Sequence, residues 1–429
     1  MAVEESVELR EVCVKIGSGA TPRGGKEAYK GGATSLIRSQ NVYNDGFHRD
    51  GLVYIDDDQS AELRNVEVQP NDVLLNITGD SVARCCQVAE DVLPARVNQH
   101  VAIIRPEPKS LDARYLRYVL VSHEYQARLL ALASAGATRP ALTKSMIEGL
   151  VISLPPLAEQ KAIAAVLGSL DDKIELNRRM NATLEAMARA LFQSWFVDFD
   201  PVRAKLDGRQ PVGLDPAISA LFPAAFQESD LGPIPRGWTA QRLPGAVEVN
   251  PRRMLKAGTV APYLDMKNLP TQGHSAEEVV DREFSSGTKF QNGDTLLARI
   301  TPCLENGKTG YVDFLEDGQV GWGSTEYIVL APKPPLPPQF GYLLARSEAL
   351  RAHAIQNMTG TSGRQRVPSE CFNTFWLAVP PSEVARRFDE LTAPLMAKIK
   401  ANSTESRTLA ALRDTLLPKL LSGDCQIIV

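Results

Sequence analysis

The 429-residue sequence has no uninterrupted apolar stretch long enough to cross a bilayer. Its first residues, MAVEESVELR, are acidic where a secretory signal is basic and then apolar, so a cytoplasmic location without membrane contact is expected. Cysteine is sparse: Cys13, Cys85, Cys86, Cys303, Cys371 and Cys425 include no C-x-x-C pair and no histidine at ligand spacing. That excludes a structural zinc site and predicts reduced, mostly buried thiols. The five histidines, His48, His100, His123, His274 and His353, also lack metal spacing, and no metal is expected. Basic residues are not in excess, with 47 Lys and Arg against 51 Asp and Glu. A net charge of −4 argues against a protein that coats nucleic acid without regard to sequence, although local basic faces remain open to it.

The signatures of nucleotide and methyl-transfer chemistry are missing as well. VCVKIGSGATPRGGKEAYKG, residues 12–31, has the outline of a phosphate loop, but Ala20 stands where the first Gly belongs and Glu27 where Ser or Thr would hold magnesium. No G-x-G-x-x-G occurs. An adenine methyltransferase grips its flipped base with Asn/Asp-Pro-Pro-aromatic; the nearest match, DFDPV at Asp198–Val202, lacks the second Pro and the aromatic. Asp171-Asp172, an adjacent carboxylate pair, falls in a long helix where solvated charge is expected. No intrinsic catalysis and no cofactor on this chain are predicted.

What the sequence does contain is a repeat. VISLPPLAEQKAIAAVLGSL begins at Val151, and WLAVPPSEVARRFDELTAPL begins 225 residues later at Trp376. At that offset Ile163, Leu170, Asn177, Leu184 and Leu191 recur every seven residues, and Phe388, Leu395, Asn402, Leu409 and Leu416 repeat the series. A seven-residue apolar repeat keeps one seam against a partner helix, and a single Asn in the seam fixes register at a cost in stability. Two helices of close to forty residues, about 60 Å each, are expected, set off by Pro155-Pro156 and Pro380-Pro381. The alternative is that each helix packs only on its own domain.

Upstream of each helix the halves match more loosely. SLIRSQNVYNDG parallels APYLDMKNLPTQG, pairing Asn41 with Asn268; VQPNDVLLNITGDS parallels FQNGDTLLARITPC, pairing Asp72 with Asp294; SAGATRPAL parallels TGTSGRQRV, pairing Arg139 with Arg364. Short β-rich runs between turn residues predict two α/β (α+β) domains with mixed or antiparallel sheets. The boundaries expected are a first domain at 1–156, a helix at 157–200, a Pro-, Gly- and Asp-rich linker at 201–231, a second domain at 232–381 and a closing helix at 382–429.

This order resembles the specificity subunit of type I restriction-modification systems over essentially the whole chain. Its most specific pieces are LPPLAEQKAIAAVLGSLDDKIELN, ALFQSWFVDFDPV, LGPIPRGW and LRDTLLPKLLSGD. The resemblance implies two target recognition domains, each reading half of a split double-stranded DNA target. It implies two helical regions paired as an antiparallel coiled coil with pseudo-twofold symmetry, and two methyltransferase subunits docked on them. S-adenosylmethionine would reside on those partners; endonuclease subunits, which carry ATP and magnesium, can join. IGSGATPRGG then becomes the opening turn of the first recognition domain. The rival reading is a coiled-coil adaptor that assembles partner enzymes without binding DNA; two divergent domains beside two alike helices favour the reader.

Base-contacting positions vary in such a family, so candidates come from residue type and place. Arg forks onto guanine, Asn and Gln onto adenine, and Lys neutralises phosphate. On turns of the first domain these are Arg38, Gln40, Asn41, Thr78, Arg84, Gln99 and Arg139; of the second, Lys267, Asn268, Arg299, Lys308, Arg364, Gln365 and Arg366. Arg139 and Arg364 stand out because both halves put Arg in a Gly/Thr-rich loop. NPRRMLK, from Asn250, adds a basic cluster suited to phosphates.

Overall fold

The computed structural model describes residues 5–22, 24, 29, 31–134, 139–211, 213–361, 363–425 and 427. The chain divides into two compact units, Met1–Ile174 with Thr408–Val429, and Glu175–Arg407.

In the first unit the strand Glu5–Glu8 pairs antiparallel with Val151–Leu154, closing the domain beside the Pro155-Pro156 stop. An antiparallel sheet runs in the order Cys13–Ser18, Val101–Pro106, Val73–Asn76, Cys85–Gln87. A second sheet runs Val53–Ile55, Thr34–Ile37, Ala95–Val97, Glu67–Val68, and its middle pair is parallel. The second unit repeats this pairing strand for strand. Thr239–Arg242 closes on Trp376–Val379; one sheet runs Val247–Val249, Tyr327–Pro332, Thr295–Ala298, Thr309–Tyr311; the other runs Val280–Glu283, Val260–Leu264, Gly321–Gly323, Thr288–Phe290, again with a parallel middle pair.

The central strands read as unbroken apolar runs because each supplies two cores. Successive side chains point to opposite faces: Val73 and Leu75 join the core under the helices, whereas Leu74 joins the core between the sheets. In the second unit Leu297 and Leu296 divide in the same way.

The long helices span Leu157–Phe192, continued by a π turn over Gln193–Val197, and Ser382–Leu421. They pair antiparallel within each unit. Asp171 meets Arg413 in the first; in the second Asn177 meets Asn402, and Trp195 meets Phe388, so partner numbers fall as chain numbers rise. Of the expected seam, Ile163, Asn177, Phe388 and Asn402 are buried. Leu170, Leu184, Leu191, Leu395, Leu409 and Leu416 are half-buried. A second series four residues on completes the seam: Leu167, Ala188 and Trp195 on one helix, Thr392, Ile399 and Leu420 on the other, all buried. The heptad needs both series.

Both series turn polar at one level. Asn177 donates its amide N–H to Glu405 Oε2 (2.8 Å) and Ser406 Oγ (3.3 Å), while Asn402 donates to Asn181 Oδ1 (2.8 Å). The contacts 177 to 406 and 402 to 181 are mates under the 225-residue repeat. Each pivotal Asn keeps its buried Oδ1 without a partner among the described residues. Replacing Asn177 and Asn402 together by Leu is therefore expected to raise stability by about 1 kcal/mol while weakening the discrimination between registers. Thermal unfolding checks this; a marked fall in midpoint would mean the polar layer carries more than register.

Two expectations need correction. Residues 201–231 are not a bare linker: Val202 and Phe222 are buried in the core of the second unit, with helices at Asp200–Leu206 and Pro216–Ala220. Apolar residues threaded among Pro and Gly made a packed segment look like a connector. The thiols are not mostly buried either. Cys85, Cys86 and Cys371 are, Cys13 and Cys303 are half-buried, and Cys425 is exposed. Burial pushes the Cys13 and Cys86 thiols up to about 12, which leaves them unreactive at neutral pH.

Candidate nucleic-acid interface

In each unit the candidate residues gather where one central strand leaves its sheet. In the first unit that strand is Val73–Asn76. Buried Asn76 donates its side-chain N–H to Ser39 O (2.8 Å), which ties the turn Ser39–Asn41 to the strand end. Its backbone N–H donates to Arg84 O (2.8 Å). Ile77 donates to His100 O, and Thr78 Oγ1 lies 2.6 Å from His100 Nδ1. Gly79 donates to Pro140 O and Leu142 to Ile77 O, which straps the segment bearing Arg139 to the same place. Residues 135–138, within the SAGATRPAL loop, and Lys26 and Glu27 of the opening stretch lie outside the described residues.

Within this group the side chains differ in what they can do. Asn41 is wholly buried; its Oδ1 accepts from Arg38 N–H (3.0 Å), and its amide donates to His48 O and Asp50 O. It holds the turn, and the sequence-based expectation of a base contact is corrected: a side chain without exposure cannot reach a base edge. Arg38 donates to Gly51 O and lies over the Tyr29 ring. Arg84 is half-buried over Tyr43, 4.5 Å from the ring centre. Gln40, Gln99 and Arg139 are exposed, with Gln99 Nε2 3.2 Å from His100 Nε2.

In the second unit the strand is Thr295–Ala298. Here Ala298 stands where Asn76 stood, and the tie to the turn Met266–Asn268 comes from elsewhere. Lys308, whose carbonyl accepts from Ala298 N–H as Arg84's does from Asn76, donates from Nζ to Met266 O and Lys267 O, both 2.8 Å. Lys308 thus braces this turn from a half-buried position. Val367 donates to Arg299 O and Thr301 to Gln365 O, the same straps that hold Arg139. Arg139 and Arg364 consequently occupy equivalent places in the two units. Arg364 and Lys267 are exposed, and Gln365 is half-buried. Asn268 bonds Glu278. Arg366 is locked in a two-pronged pair with Glu326 (2.8 and 2.9 Å), which sets it against DNA contact unless Glu326 lets go.

Beside Arg299 lies a cleft of about 340 Å³ lined by Asn250, Arg252, Arg253, Lys289, Arg299 and Thr325 among others, with no carboxylate in its wall. Arg299 keeps a buried Nε without a partner among the described residues. Arg253 is paired with Asp294 (2.7 Å), whose pKa burial raises despite that partner. In the first unit Asp72 is bound in the same way, by Arg105 (2.7 Å). Both carboxylates also cap their own turns, accepting from Gln69 and Gln291 N–H. The sequence parallel of Asp72 with Asp294 thus marks a structural brace, and the cationic wall of the cleft went unread because Lys289 and Arg299 are distant in sequence from NPRRMLK. Among the described residues no group of three or more His, Cys, Asp and Glu is arranged to hold a metal ion, and no helix is long and apolar enough to cross a membrane.

A family model described as "Type I restriction modification DNA specificity domain" matches residues 4–186. The chain is 24% identical to the type I restriction enzyme HindI specificity subunit of Haemophilus influenzae, over 83% of this chain and 87% of that one. It is 22% identical to the MjaIX specificity subunit of Methanocaldococcus jannaschii, over 96% and 91%. A crystal structure of the type I restriction-modification S subunit from M. genitalium shares the fold, with a TM-score of 0.55 at 15% identity over 97% and 96% of the two chains. The family match over residues 4–186, relatives aligned across both repeats and a shared duplicated fold agree with LPPLAEQKAIAAVLGSL, LGPIPRGW and the seam: the chain is similar over most of its length to type I restriction-modification specificity subunits, and its first part matches their DNA specificity domain.

Proposed function

We propose that each unit reads one half of an asymmetric bipartite DNA target, and that the long helices dock two methyltransferase subunits, through which endonuclease subunits join. The observation that carries this reading is the equivalence of Arg139 and Arg364, both exposed and both strapped to the exit of the same strand in duplicated domains of different sequence. Duplicated scaffolds with divergent exposed side chains suit a split, asymmetric target. Docking of two like partners is supported by Met187 and Leu412, exposed apolar residues (50% and 45%) that are mates under the 225-residue repeat on the two helices. S-adenosylmethionine, and ATP with magnesium where an endonuclease is present, would belong to those partners.

Co-expression with a methyltransferase subunit, followed by mapping of methylated adenines across the genome, tests the reading. One bipartite motif is the expected result; a stable complex without a motif would favour the adaptor. Arg139→Ala and Arg364→Ala should each cost about 1–3 kcal/mol of specific binding and relax the motif in one half only, provided the Arg forks onto guanine. Unchanged motifs and affinities in both variants would remove these loops from the interface.

A further inference from the structure

The segment after strand Val247–Val249, NPRRMLK, has a strict alternation that its polar and apolar order conceals. Pro251 is buried and Arg253 and Leu255 are half-buried, whereas Arg252, Met254 and Lys256 are exposed. The segment is anchored at its start and at two of its inward residues. Asn250, in the left-handed region (φ 55), donates its N–H to Val329 O (2.7 Å) and accepts at Oδ1 from Val329 N–H (3.0 Å). Arg253 is pinned to buried Asp294, and Leu255 packs on the cluster of Ala261, Phe284 and Trp322. A backbone held at alternate residues presents the others as a fixed outward row of cation, thioether, cation. Met254 is 88% exposed, more than any other large hydrophobic residue among those described.

A single solvated apolar side chain is ordinary. This one stands between two cations, on a pinned backbone, beside the carboxylate-free cleft of Arg252, Lys289 and Arg299. Proteins that enter the minor groove combine Arg or Lys on the phosphate rails with an apolar wedge, Met among them, pushed against a base step. At extended-chain spacing Arg252 and Lys256 would stand about 13 Å apart with Met254 midway between them, a span that lets the two cations reach the phosphates on either side of a groove about 6 Å wide while Met254 faces its floor.

We propose that the Asn250–Lys256 segment of the second domain enters the minor groove of the target, with Met254 as a wedge at one base step and Arg252 and Lys256 on the flanking phosphates. The inference rests on the DNA-reading function proposed above. Its test uses the full chain and duplexes carrying the motif found by methylation mapping, with 2-aminopurine replacing each adenine in turn in and beside the second half-site.

Binding by the wild type should raise 2-aminopurine fluorescence at one step. Met254→Ala should abolish that rise and weaken binding about tenfold, while Met254→Leu keeps both. Arg252→Ala with Lys256→Ala should lower the slope of log K against log salt by about 1.8, the loss of two phosphate contacts. All three side chains are exposed, so unchanged tryptophan-detected unfolding verifies that the variants fold. If the wild type prefers the mapped motif yet these variants match it in signal, affinity and salt slope, the wedge is refuted and the DNA-reading function stands. If the wild type shows no preference for the motif over unrelated duplex, both fall together.

Discussion

Phe388→Ala should lower the stability of the second unit by about 3–5 kcal/mol, the loss of a large buried aromatic plus the cavity it leaves. Phe388 is fully buried, with its ring centre 4.7 Å from that of Phe196 at an interplanar angle of 87°, and 5.8 Å from that of Trp195. Phe196 in turn meets Phe340 and Trp238 edge to face or tilted, and Trp195 meets Phe222 edge to face. Perpendicular pairs of this kind add to what buried area supplies. The ring is the junction at which the closing helix, the end of the first helix and residues 199–238 share one core, and few side chains could relax into the space. Phe388→Leu, which retains most of the volume, should cost about half as much. All four tryptophans, Trp195, Trp238, Trp322 and Trp376, lie in the second unit, so denaturant unfolding followed by tryptophan fluorescence reads this unit alone. A loss below about 1 kcal/mol would mean that the aromatic cluster is not the element holding the helices to that domain.

The helices were legible because a seven-residue period survives any change in the residues around it. Half of the seam was not: Leu167, Thr392, Ile399 and Trp195 sit in a series that also admits Ala188, Asn181 and Ser406, and small or polar residues hide an apolar rhythm. The duplicated sheets were legible only as paired words, since parallel pairing between Thr34–Ile37 and Ala95–Val97 joins residues some sixty apart with no local signal. The same distance effect blurred the candidate surface. Asn41 and Lys308 looked like DNA contacts by residue type, yet Asn41 is spent on bonds within its own loop and Lys308 ties a turn to the strand exit, a job that Asn76 does in the first unit and that Ala298 has no polar group to do in the second. Residue type announces what a group can bind; only the fold reveals whether it is already bound. The pinned alternation at Pro251, Arg253 and Leu255 was invisible for the same reason, since the partner that turns Arg253 inward is Asp294.

Asp171 is the clearest reversal, and its removal should be among the most damaging single changes in the first unit. Read as solvated charge, it is in fact the meeting point of three donors: Arg117 (2.6 Å) and Arg413 (2.7 Å), one on each of its oxygens, and the Tyr118 hydroxyl (2.7 Å). The side chains of Arg117 and Asp171 are only 8% and 17% exposed. Arg117 reaches on to Asn44 O, so the node ties the helix Ala113–Val121 and a turn of the recognition domain to both long helices. Asp171→Ala would leave Arg117 without its counter-ion in a half-dry site and Arg413 with the exposed Asp414 alone, at a cost of about 3 kcal/mol. Replacing Arg117, Asp171 and Arg413 together by Met, Leu and Leu should recover most of it, because apolar packing removes the stranded charge instead of exposing it.

The pH dependence gives the sign. Burial alone would raise the pKa of Asp171, but the two arginines and the tyrosine hydroxyl outweigh it and hold the carboxyl below its ordinary value. A carboxylate depressed in the folded state stabilises fully above its unfolded pKa of about 3.9 and loses that contribution as pH falls through the folded value. The stability gap between wild type and Asp171→Ala should accordingly be constant near neutrality and close below about pH 4. No tryptophan lies in the first unit, so hydrogen exchange across Ala113–Val121 and the end of the closing helix is the measurement. Protection that is lost in Asp171→Ala, restored in the triple variant, and converging with wild type in acid is the expected pattern; a gap that stays constant down to pH 3 would show that the cost comes from packing and not from the carboxylate's charge.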